Sequence, residues 1–458
     1  MARPTLNALS VPRALLKVSG PMVLGILAVL SVGLVDAFFL GRLGGDPLAA
    51  VGFIFPVTMA IGSLSIGLSA GANTAISQAI GRGEDDECIT RLGLHAIGLG
   101  VVFAVVAALL FWMADAWLLR LIGAEGGPLE EALTYTPWWC LSFPFLVTLM
   151  QGGAIFRAHG DGAKAATVMV SSAVVNVAVT PMLIFGLGPL PAMGTAGAAA
   201  ATFVAQALAA GLSLTMLWRA GLLRTCAAPL ADLGANARAI ASVGGPAALS
   251  NAINPAGMAV VTGAVASVSA AHVGGFGAAT RVESLAMVPM LALSAGIGPV
   301  VGQAWGAGDA ARAARATRAC LLFCLGYGLA VAIAVTVAAG PIAALFSEDE
   351  TARTATAAYL RIASWSFFAY GVLVVGNAAL NAIGRAGTSM TVSILRVAAL
   401  YAPLAWLGVT LFGYVGIVGA TVAANVAAAW MILVAGRATG LLERDLPGVA
   451  WAARRLQA

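Results

Sequence analysis

The sequence predicts an all-α polytopic membrane protein, with twelve transmembrane helices in two pseudo-symmetric six-helix lobes. Three observations carry this reading. Of 458 residues, 60% are hydrophobic and 9% are charged, too few charges to give a soluble protein of this size a normal polar surface. Apolar stretches of roughly 20 or more residues recur along the whole length, as about 30 Å of hydrocarbon requires of a helix rising about 1.5 Å per residue. The chain also repeats itself. Ser69-Ala70-Gly71, Gln78-Ala79, Gly81 and Gly83 recur as Ser294-Ala295-Gly296, Gln303-Ala304, Gly306 and Gly308, at an offset of 225 residues.

The expected spans run over 18–41, 48–80, 93–122, 134–156, 165–188 and 195–218 in the first half, then 239–266, 272–305, 317–346, 357–383, 388–412 and 414–436 in the second. Residues 1–218 thus form an amino-terminal lobe and 239–436 a carboxyl-terminal one, with a cytoplasmic linker over 219–238 and a cytoplasmic tail over 437–458. The register extends outward, since Pro21 pairs with Pro246 at the same offset, and Pro181, Gly194 and Gly197 pair with Pro403, Gly416 and Gly419 at 222. Six helices per half is an even number, so both halves enter from the same side and the repeat is parallel. In such proteins substrates bind where the repeats meet.

Orientation follows from the basic residues. Arg42, Arg120, Arg353 and Arg361 fall on one side and Arg281 and Arg396 inside helices, leaving 18 of the 24 Lys and Arg on the side of the termini, which is expected to be cytoplasmic. Trp112, Trp117, Trp138 and Trp139 are placed at the opposite helix ends, as an outer aromatic belt. The first apolar run is too long for a cleavable signal and belongs to the repeat, so it reads as helix one of an inner-membrane protein. The net charge of +5 then reflects orienting loops. No basic cluster with interleaved aromatics suggests nucleic acid, and the five cysteines are not expected to form a disulfide framework.

Asp36 and Glu283 are the two acids placed within the hydrocarbon. A carboxylate there costs about 2.5–3.5 kcal/mol on insertion scales, so one that persists usually faces a wet cavity and handles ions or substrates. At the 225 offset they align with Val261 and Thr58, so neither acid is demanded by the shared scaffold. Pro21, fifteen residues before Asp36, removes an intrahelical hydrogen bond and can seed a bend. Asn176 and Thr180 share a face of helix five just before Pro181 and offer oxygen ligands. Gln206, Asn251, Asn254, Asn377 and Asn381 join Asp36 and Glu283 as candidates to line a substrate cavity; each alone is as well explained by interhelical hydrogen bonding. His95, His159 and His272 lie too far apart to assemble a metal site, and no P-loop or nucleophile elbow is present. Neither ATP use nor a cofactor is expected.

The whole chain resembles the multidrug and toxic compound extrusion (MATE) family. The stretches that carry the likeness are Val35-Asp36-Ala37-Phe38-Phe39, Gln78-Ala79-Ile80-Gly81-Arg82-Gly83, Arg157-Ala158-His159-Gly160-Asp161, Asn176 to Pro181, Arg281-Val282-Glu283-Ser284-Leu285 and Gln303-Ala304-Trp305-Gly306-Ala307-Gly308. The resemblance implies the MATE fold of that superfamily: two lobes enclosing a cavity, exporting lipophilic, mostly cationic compounds by alternating access in exchange for Na⁺ or H⁺, as a monomer in the lipid bilayer. It makes Asp36 the coupling acid, with Asn176 and Thr180 beside it as further ligands, and Pro21 the bending proline. Residues 357–383 contain no acid, which points to the DinF-like branch. Thr180 departs from archaeal relatives, which have aspartate there, and favours H⁺ over Na⁺ at a site with one formal charge. A lipid-linked flippase of the same superfamily is the alternative. An intramembrane enzyme, the alternative from another class, lacks two cooperating groups at one depth.

Overall fold

The computed structural model describes residues 5–186, 191–224, 226 and 228–442. Among them all regular structure is helical. Six long helices come first: α1 (Val11–Leu43), α2 (Gly45–Arg82), α3 (Asp86–Leu121), α4 (Gly126–Ala158), α5 (Gly162–Phe185) and α6 (Gly194–Arg219). After a connection come α7 (Leu233–Ala266), α8 (Ala270–Ala286), α9 (Val288–Gly306), α10 (Ala310–Phe346), α11 (Glu350–Ala363), α12 (Phe367–Ala382), α13 (Ala386–Ile394), a π-helical stretch over Leu395–Tyr401, and α14 (Ala402–Ala438). The tail beyond 442 lies outside the described residues.

The extra pieces are subdivisions of the expected spans. The span over 272–305 is α8 and α9, broken at Met287 ahead of Pro289, whose missing amide and fixed φ suit a helix start. The tenth span starts earlier than expected, at Glu350, and passes through a 3₁₀ turn at Ser364–Ser366. The last two spans run together over Ala386–Ala438, divided at Gly413 (φ 61°, ψ −142°). Gly408 and Gly416 meet there backbone to backbone, so each arm of this hairpin lacks a Cβ where the other approaches. Among the described residues, ten helices or joined helices are long and apolar enough to cross a membrane. Dividing the last at Gly413 and adding α7, whose Asn251, Asn254 and Pro255 lower its hydropathy, restores twelve. Side chains such as Met113, Val337 and Leu345, each at least four-fifths exposed, present to the surroundings the apolar surface that lipid would cover.

The chain divides into two compact units, and the division does not fall in the 219–238 connection. One unit is Gly20–Ala248; the other joins the residues up to Ser19 to those from Leu249 on. Both boundaries lie inside helices, α1 and α7, for a packing reason that the repeat shares. In the first unit the early turns of α7 press on α2, so that a Cβ at Gly71 would strike the Ile240 carbonyl and the Gly244 backbone, and one at Gly67 would strike Ala248. In the second unit Gly296, the repeat partner of Gly71, meets Ser19, the position equivalent to Gly244. Small residues at these crossings let backbones approach closely. Gly197 does the same within the first unit, lying against the Leu183 carbonyl.

The repeated Gln-Ala-x-Gly stretch has a structural task in the second unit. Gln303 Oε1 accepts from the Leu6 amide at 2.8 Å and its carbonyl from Asn7 Nδ2 at 3.2 Å, while Arg312 donates to the carbonyls of Leu6 and Leu9 at 3.0 and 2.6 Å. In the first unit the segment before α7 is held by other residues. His95 Nε2 donates to the Pro229 carbonyl at 2.8 Å, and Arg91 lies 3.4 Å from Asp232. Arg157 reaches Ser69 of the repeated Ser-Ala-Gly at 3.4 Å.

One part of the aromatic belt needs correction. Trp112 and Trp117 are exposed, but Trp139 is 9% exposed and stacks on Phe143, with Phe111 edge-on. The cause is that α4 starts at Gly126, which puts Trp138 and Trp139 three turns inside the helix.

Candidate functional site

Asp36 sits in the last third of α1, which runs as one helix through Pro21. Across from it α5 presents Thr180, fully buried, and Asn176, 2% exposed, one turn apart on the same face. The Thr180 hydroxyl lies 3.3 Å from Asp36 Oδ1 and 3.4 Å from Asn176 Oδ1. It has one hydrogen and two acceptors, so it serves one oxygen at a time. Asn176 Nδ2 donates to Thr202 Oγ1 on α6 at 3.2 Å, and Thr202 passes its own hydrogen to the Ala198 carbonyl at 3.1 Å. This chain fixes the amide so that Asn176 Oδ1, and not its NH₂, faces Thr180. Pro181 has no amide to give the Val177 carbonyl, which leaves a further backbone oxygen beside the group. Tyr135 of α4 lies within electrostatic reach of Asp36 and packs against the cluster of Leu40, Ile184 and Ala198.

Among the described residues the one hydrogen-bond partner of the Asp36 carboxylate is the Thr180 hydroxyl, at the long end of hydrogen-bond range, with the Asn176 oxygen next to that hydroxyl. An ionised group so thinly supported in a membrane is costly, and a proton or a small cation on Asp36 removes that cost. No group of three or more His, Cys, Asp or Glu placed to hold a metal ion occurs among the described residues, so a cation here would be held by one carboxylate with neutral oxygens. Gln206, on α6 in the same unit, has a buried Oε1 without a hydrogen-bond partner.

The remaining candidates belong to the second unit. Glu283 Oε2 accepts from the Tyr359 hydroxyl at 2.6 Å. Asn254 and Asn425 accept from the two terminal nitrogens of Arg396, at 3.1 and 2.8 Å, and Asn425 donates on to Ser366 at 3.1 Å. Arg396 is 7% exposed, projects from the π-helical stretch and lies over the rings of Tyr370 and Tyr401, 5.5 and 6.0 Å from their centroids. Asn377 donates to Ser393 at 3.1 Å, which contacts Ser250 at 2.6 Å. Asn251 and Asn381 lie on α7 and α12. The structure thus joins Asp36 to Thr180 and Thr180 to Asn176, and in the second unit Asn254 to Arg396 and Glu283 to Tyr359. Sequence reasoning missed Thr202, Tyr135, Tyr359 and Asn425, ordinary residues on helices whose neighbours only the fold reveals. Arg396 itself carried a signal as an intramembrane arginine.

A family profile, MatE, matches residues 21–182 and again 246–407, the same 225-residue register that the internal repeat sets. The chain belongs to the MATE family. MATE proteins are transporters, so this one is a membrane transporter and not an enzyme. Its curated relatives include an FAD transporter of Shewanella oneidensis, 34% identical over 88% of this chain and 90% of that protein. Another is a probable multidrug resistance protein NorM of Deinococcus radiodurans, 29% identical over 86% and 87%. Among solved structures, a mutant of the Vibrio cholerae MATE transporter VcmN is 28% identical over 94% of this chain and 98% of that one, with a TM-score of 0.89. VcmN in a bent form superposes with a TM-score of 0.88, also at 28% identity, over 94% and 97%.

Proposed function

We propose that this MATE transporter is a secondary active exporter that couples extrusion of amphiphilic organic compounds, by alternating access, to entry of a monovalent cation at Asp36. The observation that carries the reading is the half-buried Asp36 carboxylate set against the buried Thr180 and Asn176 oxygens. H⁺ is the coupling ion, with Na⁺ a competitor at the same carboxylate. A single formal charge ringed by neutral oxygens makes a weak Na⁺ cage, whereas a proton needs only the carboxylate. The acid-free stretch 357–383 supports a place in the DinF-like branch, and the 18 basic residues on the side of the termini support a cytoplasmic placement of both ends. We take the working unit to be a monomer in a prokaryotic inner membrane.

Lipophilic cations are the first substrate class, drawn in part by Glu283, with Gln206, Asn251, Asn254, Asn377 and Asn381 as further polar contacts. The Shewanella relative favours a second reading, export of a flavin dinucleotide. Proteoliposomes with Na⁺ and H⁺ gradients imposed separately test both, using a lipophilic cationic dye in one arm and FAD in the other. Gradient-driven movement of the dye supports the first class and movement of FAD alone the second. Transport that follows Na⁺ and ignores the pH gradient overturns the proton assignment.

A further inference from the structure

The last turns of α10 and one face of α11 border an open cavity of about 280 Å³ lined by Gly340, Ala343, Ala357 and the exposed Glu350, Arg353 and Arg361. Lower down the two segments are tied together, with Thr336 Oγ1 3.2 Å from Ser364 Oγ. Deeper still, Gly328 lies so close to Phe368 that a Cβ there would sit 2.5 Å from its Cα. Above these contacts the small side chains leave the space open. A Cβ at Gly340 would come within 3.9 Å of Arg361 Nη2, which places that guanidinium against the α10 wall. Neither guanidinium nor the Glu350 carboxylate has a side-chain hydrogen bond or ion pair among the described residues.

Free surface arginines alone would mean little. Here the two cations and the carboxylate line one cavity on a lipid-facing stretch. Ile333 and Val337, 55% and 80% exposed, lie on the same α10 stripe as Gly340, and Trp365, 45% exposed, follows one turn after Arg361. Apolar surface thus runs down from a polar notch, the profile of a lipid with its head uppermost. Arginine forks match phosphate oxygens, and a carboxylate beside them suits an ammonium. The volume falls just below the roughly 300–1,000 Å³ typical of sites for drug-sized ligands.

We infer that this cavity binds the headgroup of a zwitterionic aminophospholipid, its phosphodiester on Arg353 and Arg361 and its ammonium on Glu350. The site is independent of the transport substrate. Native mass spectrometry of the purified protein, with phosphatidylethanolamine and phosphatidylglycerol supplied in turn, reads it directly. Wild-type protein should retain phosphatidylethanolamine preferentially. The Arg353→Ala/Arg361→Ala variant should lose about tenfold in that affinity, and Glu350→Gln should abolish the preference over phosphatidylglycerol while still binding both. The thermal midpoint in lipid-free detergent, unchanged by either variant, certifies the fold. Unchanged phosphatidylethanolamine retention by the double arginine variant overturns the inference. So does equal retention of phosphatidylglycerol by the wild type, and so does displacement of the lipid by inorganic phosphate, which would make the site one for a free anion.

Discussion

At the scale of single residues the account turns on Asp36 and the group that touches it. Asp36→Asn should lower gradient-driven export at least about tenfold while leaving the protein folded, since a neutral amide is easier to place in a membrane than a carboxylate. Transport rate and gel-filtration profile together check this. Thr180→Asp adds a second formal charge beside Asp36 and should make transport depend more steeply on Na⁺, measured as the Na⁺ concentration giving half-maximal rate. In the second unit, the hydroxyl of Tyr359 donates to Glu283 at 2.6 Å. An ordinary hydrogen bond contributes about 0.5–1.5 kcal/mol net, and leaving its buried partner unsatisfied costs about 1–3 kcal/mol. Tyr359→Phe should therefore lower the thermal midpoint, whereas Glu283→Gln should weaken binding of cationic dyes more than of neutral ones. Equal loss for both dye classes would assign Glu283 to packing.

At the scale of elements, close helix crossings depend on glycines at particular places. A Cβ on Gly328 would run into the backbone of Phe368, so α10 and α12 must separate to admit one. Gly328→Ala should cost about 1–3 kcal/mol, the range for overpacking, and be seen as a lower thermal midpoint. A substitution with no effect there would mean that the crossing is looser than described. Gly413 has a different reason to be glycine. Its φ of 61° with ψ near −142° lies in a region other residues rarely enter, and the break it makes separates the last two spans.

At the scale of the whole molecule, the spans were legible because lipid demands long apolar runs, and the 225-residue repeat was legible because its glycines mark crossings shared by both units. Even the residue dividing the last two spans, Gly413, falls in the gap that hydropathy leaves. Packing allegiance was not legible: nothing in the composition of α1 or α7 announces that each divides between units near Gly20-Pro21 and Gly245-Pro246, because the contacts responsible, Ser19 with Gly296 and Gly244 with Gly71, join residues hundreds of positions apart or on different helices. Of the candidate site, the acid and its helix-five partners could be read from intramembrane polarity. Thr202 and Tyr135 could not, since threonine and tyrosine are unremarkable on any single helix. Orientation is a prediction at this scale too. Single cysteines placed at Glu125 and Glu348 should react with an impermeant reagent added outside intact cells, and protection of both would invert the topology. The central claim is that ion and substrate are exchanged through Asp36, and substrate-induced proton movement tests it most directly. Proteoliposomes loaded with a pH-sensitive dye should report H⁺ movement opposite to that of the substrate for wild-type protein and none for Asp36→Asn; an equal proton signal from that variant would contradict the account.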